Sequence, residues 1–332
     1  MFNAPIKSQC SRDYFYGKDL KLEKILDMLE GEYARLVRDL ECPAYRLNDD
    51  DRWLLRRFIS LQSARTAEKV ARGLAMMQKM YGFMRESALA HGQEWIQPEP
   101  TAHHVMMNLM RSFSEEMGTG LLDDLKMTLI KNETSRNFVT SDNPAILTNR
   151  WHLQKLRRET FGKNSAGLLM MLPLGSRLAA MAYDQQVYSV KHDSGFVNIQ
   201  KESDVLAINE HQFLQADAAI YFSEPNETNW LVKEFEILAK DRSIQWDAFD
   251  VASYDLSTAT HDRYAVGPMS EVAQSNDAIF HLRSTTPSPS KWPSFVRFRD
   301  SAHGYTRGRS IVRRAYMEAD SVNSGSYRRV KG

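Results

Sequence analysis

From Leu22 onwards, Leu22, Ile25, Leu26, Leu29, Tyr33, Leu36 and Leu40 recur at helical spacing and form one apolar stripe. Glu23 and Glu30 lie seven apart and share one flank of that stripe. The polar run LNDDD (47–51) then offers N-cap side chains and acids suited to a helix N-terminus. RWLLRRFISLQSARTAEKVARGLAMMQKMYGFM follows without proline and predicts one long helix over 51–84. A further helix is expected over HHVMMNLMRSFSEEM, stopped by Gly118 and Gly120.

The pattern then changes period. KMTLIKNETSRNFVTSDNP reads as strand, turn and strand, rich in Thr, Val, Phe and Ile with polar residues between. AGLLMMLPLG, RLAAMAYD and QQVYSVKH are short apolar runs of strand length. Helical spacing returns in SDVLAINEHQFLQADAAIYFS and ETNWLVKEFEILAKD, after which periodicity fades and STTPSPSKWP marks a linker. The expected class is α+β, mainly helical. A helical N-terminal part packs on a small central sheet containing 138–141, 168–173 and 177–183, with further helices after it. Residues 1–245 form the expected domain, and 246–332 a partly irregular, basic C-terminal extension.

Several polar residues interrupt apolar faces. Leu54, Phe58, Gln62, Arg65 and Lys69 share one helical face, so Gln62 and Arg65 extend the line that Leu54 and Phe58 begin. Asn209 likewise shares a face with Phe213, Ala216 and Ile220. A buried arginine needs a partner, and Asp142, at the end of the apolar run in FVTSDNPAIL, is the natural candidate for Arg65. Two accounts stay open. In one, Arg65 and Asp142 form a structural ion pair while Gln62 and Asn209 satisfy backbone groups. In the other, Asp142, Asn143, Gln62 and Arg65 line a polar pocket with chemistry of its own.

These segments carry a resemblance. DYFYGKDLKLEKILDMLEGEYARLVRDL, FISLQSARTAEK, FVTSDNPAIL, LPLG and AINEHQFLQADAAIYFS, in that order, resemble the DUF4238 family over roughly residues 6–223. The matching parts are Phe15-Tyr16 with Glu23 and Glu30, Gln62 with Arg65 and Thr66, Ser141 to Pro144, Pro173-Leu174 and Asn209. The resemblance implies a bacterial or mobile-element protein and groups Gln62, Arg65 and Asp142, but supplies no reaction. Relatives often open with a histidine-containing segment that MFNAPIKSQC does not match. If that histidine is catalytic in them, this chain is inactive, or His103-His104 serve instead.

Composition narrows the chemistry. Of the 332 residues 42% are hydrophobic and 26% charged, which suits an ordinary folded chain. The two cysteines, Cys10 and Cys42, make neither a disulfide framework nor a zinc site. No apolar run approaches the roughly 18 residues of a membrane span, and no signal-peptide core opens the chain, so a cytoplasmic protein without membrane contact is expected. Phosphate-loop, dinucleotide, HExxH and G-x-S-x-G motifs are missing.

The net charge of +1 hides an asymmetry. Residues 281–332 hold eleven Lys and Arg against three acids, on an otherwise acidic chain. Arg297, Arg299, Arg307, Arg309, Arg313 and Arg314, interleaved with Phe295, Phe298, Tyr305 and Tyr316, suit the phosphates and bases of RNA or DNA. The leading functional expectation is a metal-assisted nuclease acting on RNA or DNA in a defence or toxin setting, such as phage defence. Asp142 with Glu23 or Glu30 would hold Mg or Mn, Arg65 would face the developing charge, and Gln62 and Asn143 would complete the site. The alternative is a non-catalytic nucleic-acid- or protein-binding module whose Arg65–Asp142 centre is structural.

Overall fold

A computed structural model describes residues 21–42, 44–158, 160–239, 242, 248–258, 261–267, 269–273, 278–283, 286–306, 312–314 and 328–331. The chain divides into two compact units. The larger comprises Met1–Thr66, Leu109–Arg242 and Thr286–Gly332, and the smaller Ala67–Asn108 and Ser243–Thr285.

Four helices come first: α1 (Lys21–Leu40), α2 (Asp49–Ala64), α3 (Ala67–Ala90) and α4 (Ala102–Thr119). The LNDDD signal works as expected. Asn48 Oδ1 accepts from the Asp51 amide at 2.8 Å, and Asp51 Oδ2 accepts from the Asn48 amide at 2.9 Å, a reciprocal capping box. The single helix expected over 51–84 is instead two. Arg65 turns to φ −98°, ψ 19°, its amide closes the last turn on Leu61, and α3 begins two residues later. α2 therefore lies in the larger unit and α3 in the smaller.

The strands of the larger unit are β1 (Lys126–Asn132), β2 (Thr140–Ser141), β3 (Ile146–Thr148), β4 (Leu169–Pro173), β5 (Leu178–Tyr183), β6 (Tyr188–Val190) and β7 (Phe196–Ile199). Helix α5 (Glu202–Gln215), β8 (Ile220–Tyr221) and α6 (Thr228–Leu238) follow. The main sheet has the order β3-β4-β5-β1-β7. It is antiparallel except where β1 and β7 run parallel, with Leu129 opposite Phe196.

Both faces of this sheet are covered, which explains why its strands read as continuous apolar runs. Leu169, Met171 and Met181 point to one side, towards Val205 and Ile208 of α5. Met170, Leu172, Ala180 and Ala182 point to the other, towards Leu36 of α1 and Leu54, Leu55, Phe58 and Ile59 of α2. Each fully buried aliphatic of this kind contributes about 1.5–3 kcal/mol.

The expectation of a mainly helical domain on a small sheet is corrected. Helices take 46% and strands 19% of the described residues, and the sheet is five-stranded and mixed, so the class is α+β. The sequence pattern understated the sheet because β7 joins β1 from more than sixty residues away, a pairing that no local period announces. Residues 138–141 do not enter the main sheet either; Thr140 and Ser141 pair with Tyr221 and Ile220 of β8.

In the smaller unit, β9 (Ala248–Thr258), β10 (His261–Val266) and β11 (Ala278–Arg283) form a sheet in the order β10-β9-β11, and α7 (Met269–Val272) lies between β10 and β11 in sequence. Val272 and Ala273 pack with Phe83, Met76 and Met80 of α3. Back in the larger unit, β12 (Val296–Phe298) pairs antiparallel with β6, and β13 (His303–Thr306) with β14 (Arg328–Lys331). Among the described residues no helix is long and apolar enough to cross a membrane.

Candidate functional site

The FVTSDNPAIL segment is held by a row of side-chain amides on α5. Asn209, Gln212 and Gln215 follow at i, i+3 and i+6, so they share one side of the helix. Asn209 Nδ2 donates to the Asn137 carbonyl at 2.9 Å, and its Oδ1 accepts from the Val139 amide at 3.1 Å. Gln212 Nε2 donates to Ser141 Oγ and, at 2.8 Å, to the Asn143 carbonyl. Gln215 donates to the Leu147 carbonyl at 2.9 Å and accepts from its amide at 3.0 Å. Asn209 and Gln215 thus each pair with backbone through both donor and acceptor, as a neighbouring strand would, and Gln212 adds donors between them.

Asp142 and Asn143 belong to this clamp. Asp142 Oδ1 accepts from the Asp217 amide at 2.9 Å, and Oδ2 from the Ala218 and Ala219 amides at 2.7 and 3.1 Å. The carboxylate therefore ties down the turn that leaves α5. Asn143 Nδ2 donates to the Gln215 carbonyl at 2.9 Å, and its amide donates to Ser141 Oγ at 3.1 Å.

Arg65 lies elsewhere in the hydrogen-bond network. It pairs with Glu30 of α1, and its Nε donates to Gln62 Oε1 at 3.3 Å. The expected Arg65–Asp142 pair does not form. Glu30 takes the arginine because the stripe of α1 lies against α2, where Tyr33 stacks on Phe58 at 3.5 Å between ring centres. Glu23 is half-buried on the same helix. Among the described residues no three His, Cys, Asp or Glu side chains converge into a group able to hold a metal ion; Asp142 is engaged by backbone amides and Glu30 by Arg65.

The basic C-terminal residues separate. Arg307 and Arg309, with Tyr316, lie outside the described residues, as do Phe15-Tyr16 near the N-terminus. Arg314 is only 1% exposed; its Nε donates to Asp124 Oδ2 at 2.7 Å, and its other nitrogens donate to the Lys163 and Leu121 carbonyls. Arg313 is half-buried and shares a short antiparallel bridge with Tyr305. Arg297 and Arg299 are exposed on and just after β12.

Around β12 a second set of cations gathers that sequence reading did not anticipate. Phe298 stacks on Tyr188 of β6 at 5.8 Å. The Arg150 guanidinium lies 5.0 Å from the Phe298 ring centre and 5.6 Å from that of Trp292, within cation–π range, while Nη1 donates to the Val296 carbonyl at 2.7 Å. Lys155 Nζ lies 5.5 Å from the Phe298 ring. Lys155 sits in a short π-helix, His152–Leu156, which Arg157 ends in the left-handed region at φ 50°. Both π-turns and left-handed non-glycine residues cluster at working sites. Lys155, Arg297 and Arg299 are exposed, so this face of the larger unit is basic with aromatic rings set into it. Gln212 and Gln215 were legible from their spacing with Asn209; Arg150 and Lys155 were not, since tertiary packing alone brings them to Phe298.

Two buried histidines flank this region. His152 is fully buried, and burial first, then the nearby Arg158, pulls its pKa down to about 4; the Thr160 carbonyl 3.3 Å from Nδ1 opposes the shift. His211 packs edge-on against Trp292 at 4.7 Å, and burial likewise lowers it to about 4. Both are neutral when folded, whereas the unfolded chain takes up protons near pH 6.5. Stability is therefore complete above about 6.5 and falls as pH drops towards 4. Between pH 7.5 and 5 each histidine costs about 2 kcal/mol. Urea melts at the two pH values check this, and His211→Leu should remove about half of the difference.

The model of a family described as "Protein of unknown function (DUF4238)" matches residues 1–226. No curated protein and no solved structure matches the chain.

Proposed function

The chain belongs to the DUF4238 family, and from that premise we propose that it is a nucleic-acid-binding module whose Arg65 and Asp142 centres are structural. The observation that carries this reading is the basic, aromatic face around β12. Lys155, Arg297 and Arg299 are exposed there, beside Phe298 and Trp292, whose rings Arg150 and Lys155 hold in place. Cations on a fixed frame suit backbone phosphates, and half-buried rings at the same face suit bases that have left a duplex. Hydrolysis at Asp142 is not part of this proposal, because its two oxygens already accept three backbone amides.

Single-stranded RNA or DNA oligonucleotides should bind at low salt, with affinity falling steeply as salt rises. Replacing Lys155 and Arg297 together by glutamine should weaken binding and reduce the log–log salt slope by about 1.4, at roughly 0.7 per lost phosphate contact. Both side chains are exposed, so the melting temperature should hold. Fluorescence anisotropy across a salt series is the measurement. Absent binding at low salt, or a double variant with unchanged slope, overturns the reading.

A further inference from the structure

The larger unit contains a half-open cleft of about 380 Å³ that the β12 face does not share. Its walls come from four places in the chain, one of them Gln185, between β5 and β6. Arg52 and Arg56, one turn apart on α2, form one side; Asp123 and Asp124 precede β1, which supplies Lys126; His192 and Gly195 come from the turn before β7.

The charges in it are unevenly matched. Asp124 is taken by buried Arg314, and Arg52 Nη1 meets exposed Asp49 at 2.9 Å. Arg56 donates one N–H to the Leu125 carbonyl at 3.2 Å and forms no ion pair among the described residues, although it is partly buried. Burial weakens its hold on the positive charge, with Asp123 and Asp124 opposing that effect, and His192 is held low by burial, then by Lys126 and Arg52. A partly buried guanidinium that Asp123 and Asp124 support without a direct ion pair, and whose Nε has no hydrogen-bond partner among the described residues, is a costly arrangement that an anion would relieve. Arginine's planar fork and a nearby lysine ammonium match a phosphate group in particular. Gly195, at φ +88°, brings its backbone to the wall beside Arg52, whose Nη2 lies 3.8 Å from where a Cβ would sit. Asp123, exposed at the rim and outside any ion pair among the described residues, is placed to accept hydroxyl groups.

We infer that this cleft binds a sugar phosphate, with the phosphate between Arg56, Lys126 and Arg52 and the sugar hydroxyls towards Asp123. The volume falls in the range of small-molecule sites, about 300–1,000 Å³. The same chemistry is offered by a free pentose phosphate and by the 5′-phosphate end of a nucleic-acid strand.

The test is isothermal titration of the full chain with ribose 5-phosphate, with inorganic phosphate, and with short oligonucleotides bearing a 5′-phosphate or a 5′-hydroxyl. Ribose 5-phosphate should bind more tightly than inorganic phosphate, and Asp123→Asn should erase that preference. Arg56→Met and Lys126→Gln should each weaken binding at least tenfold; Lys126 is exposed, so its variant remains informative if Arg56→Met fails to fold. If only the 5′-phosphorylated oligonucleotide binds in a Lys126-dependent way, the cleft holds and its ligand is a strand end. Absence of binding by every phosphorylated probe, or affinities untouched in Lys126→Gln, overturns the inference. The Lys155 and Arg297 double variant should leave ribose 5-phosphate binding unchanged, so the cleft and the β12 face fail or stand separately.

Discussion

A chain ending at residue 285 should not fold its larger unit. Val296, Ala302 and Val312 belong to the core that covers one face of the main sheet. β12 completes β6, and the Ser290 and Ser294 amides satisfy the carboxylates of Glu210 and Asp204 on α5. Arg314 closes the set from its buried position against Asp124. Removing one partner of a buried ion pair alone costs about 3–5 kcal/mol. Added to three lost core aliphatics, this reaches the whole stability of an ordinary domain, about 5–15 kcal/mol. Circular-dichroism melts of the truncated chain should show no cooperative transition from the larger unit. In the full chain, Arg314→Met should lower stability by about 3–5 kcal/mol, since Asp124 is left without its partner. A truncated chain that melts within a few degrees of the full one would return residues 286–332 to the role of a solvated basic arm.

Gln212→Leu should destabilise the larger unit, although it replaces a polar side chain by an apolar one of similar size. Gln212 is fully buried and donates to two acceptors, Ser141 Oγ and the Asn143 carbonyl. Ser141 Oγ keeps the Asn143 amide, so the stranded acceptor is the Asn143 carbonyl, which costs about 1–3 kcal/mol, the loss expected in urea melts. Asn209→Leu should act similarly by freeing the Val139 amide and the Asn137 carbonyl, and the two losses should not add, because both side chains hold one segment. Amide exchange at Val139 offers a local check. An unchanged denaturation midpoint in Gln212→Leu would mean that the clamp contributes nothing to stability.

Much of this was legible in residue pattern. The apolar stripe of α1, the LNDDD cap of α2 and the two adjacent strands β4 and β5 all follow from local periods and capping chemistry. Gln62 and Arg65 stood out as polar residues on an apolar face, and the structure joins Arg65 to Gln62 and Glu30. The partner of Asp142 was misread for a physical reason. Its partners are the backbone amides of residues 217–219, and every residue but proline carries such a donor, so composition gives no hint of them. The helix break at Arg65 was hidden because no glycine or proline marks it. The cations beside Phe298 meet it from more than a hundred residues away, beyond the reach of any spacing argument.

The placement of Val296 and Val312 in the core has a consequence for biosynthesis. During translation the five strands of the main sheet have all been made once Ile199 is joined, yet the residues that seal one of its faces lie roughly a hundred positions further on. At about 5–20 residues per second, the ribosome leaves that face covered by α5 but not by Val296 and Val312 for roughly 5–20 s. Nascent chains therefore carry this core cluster without Val296, Ala302 and Val312 through the synthesis of the whole β9–β11 sheet. A holding chaperone has that interval in which to act.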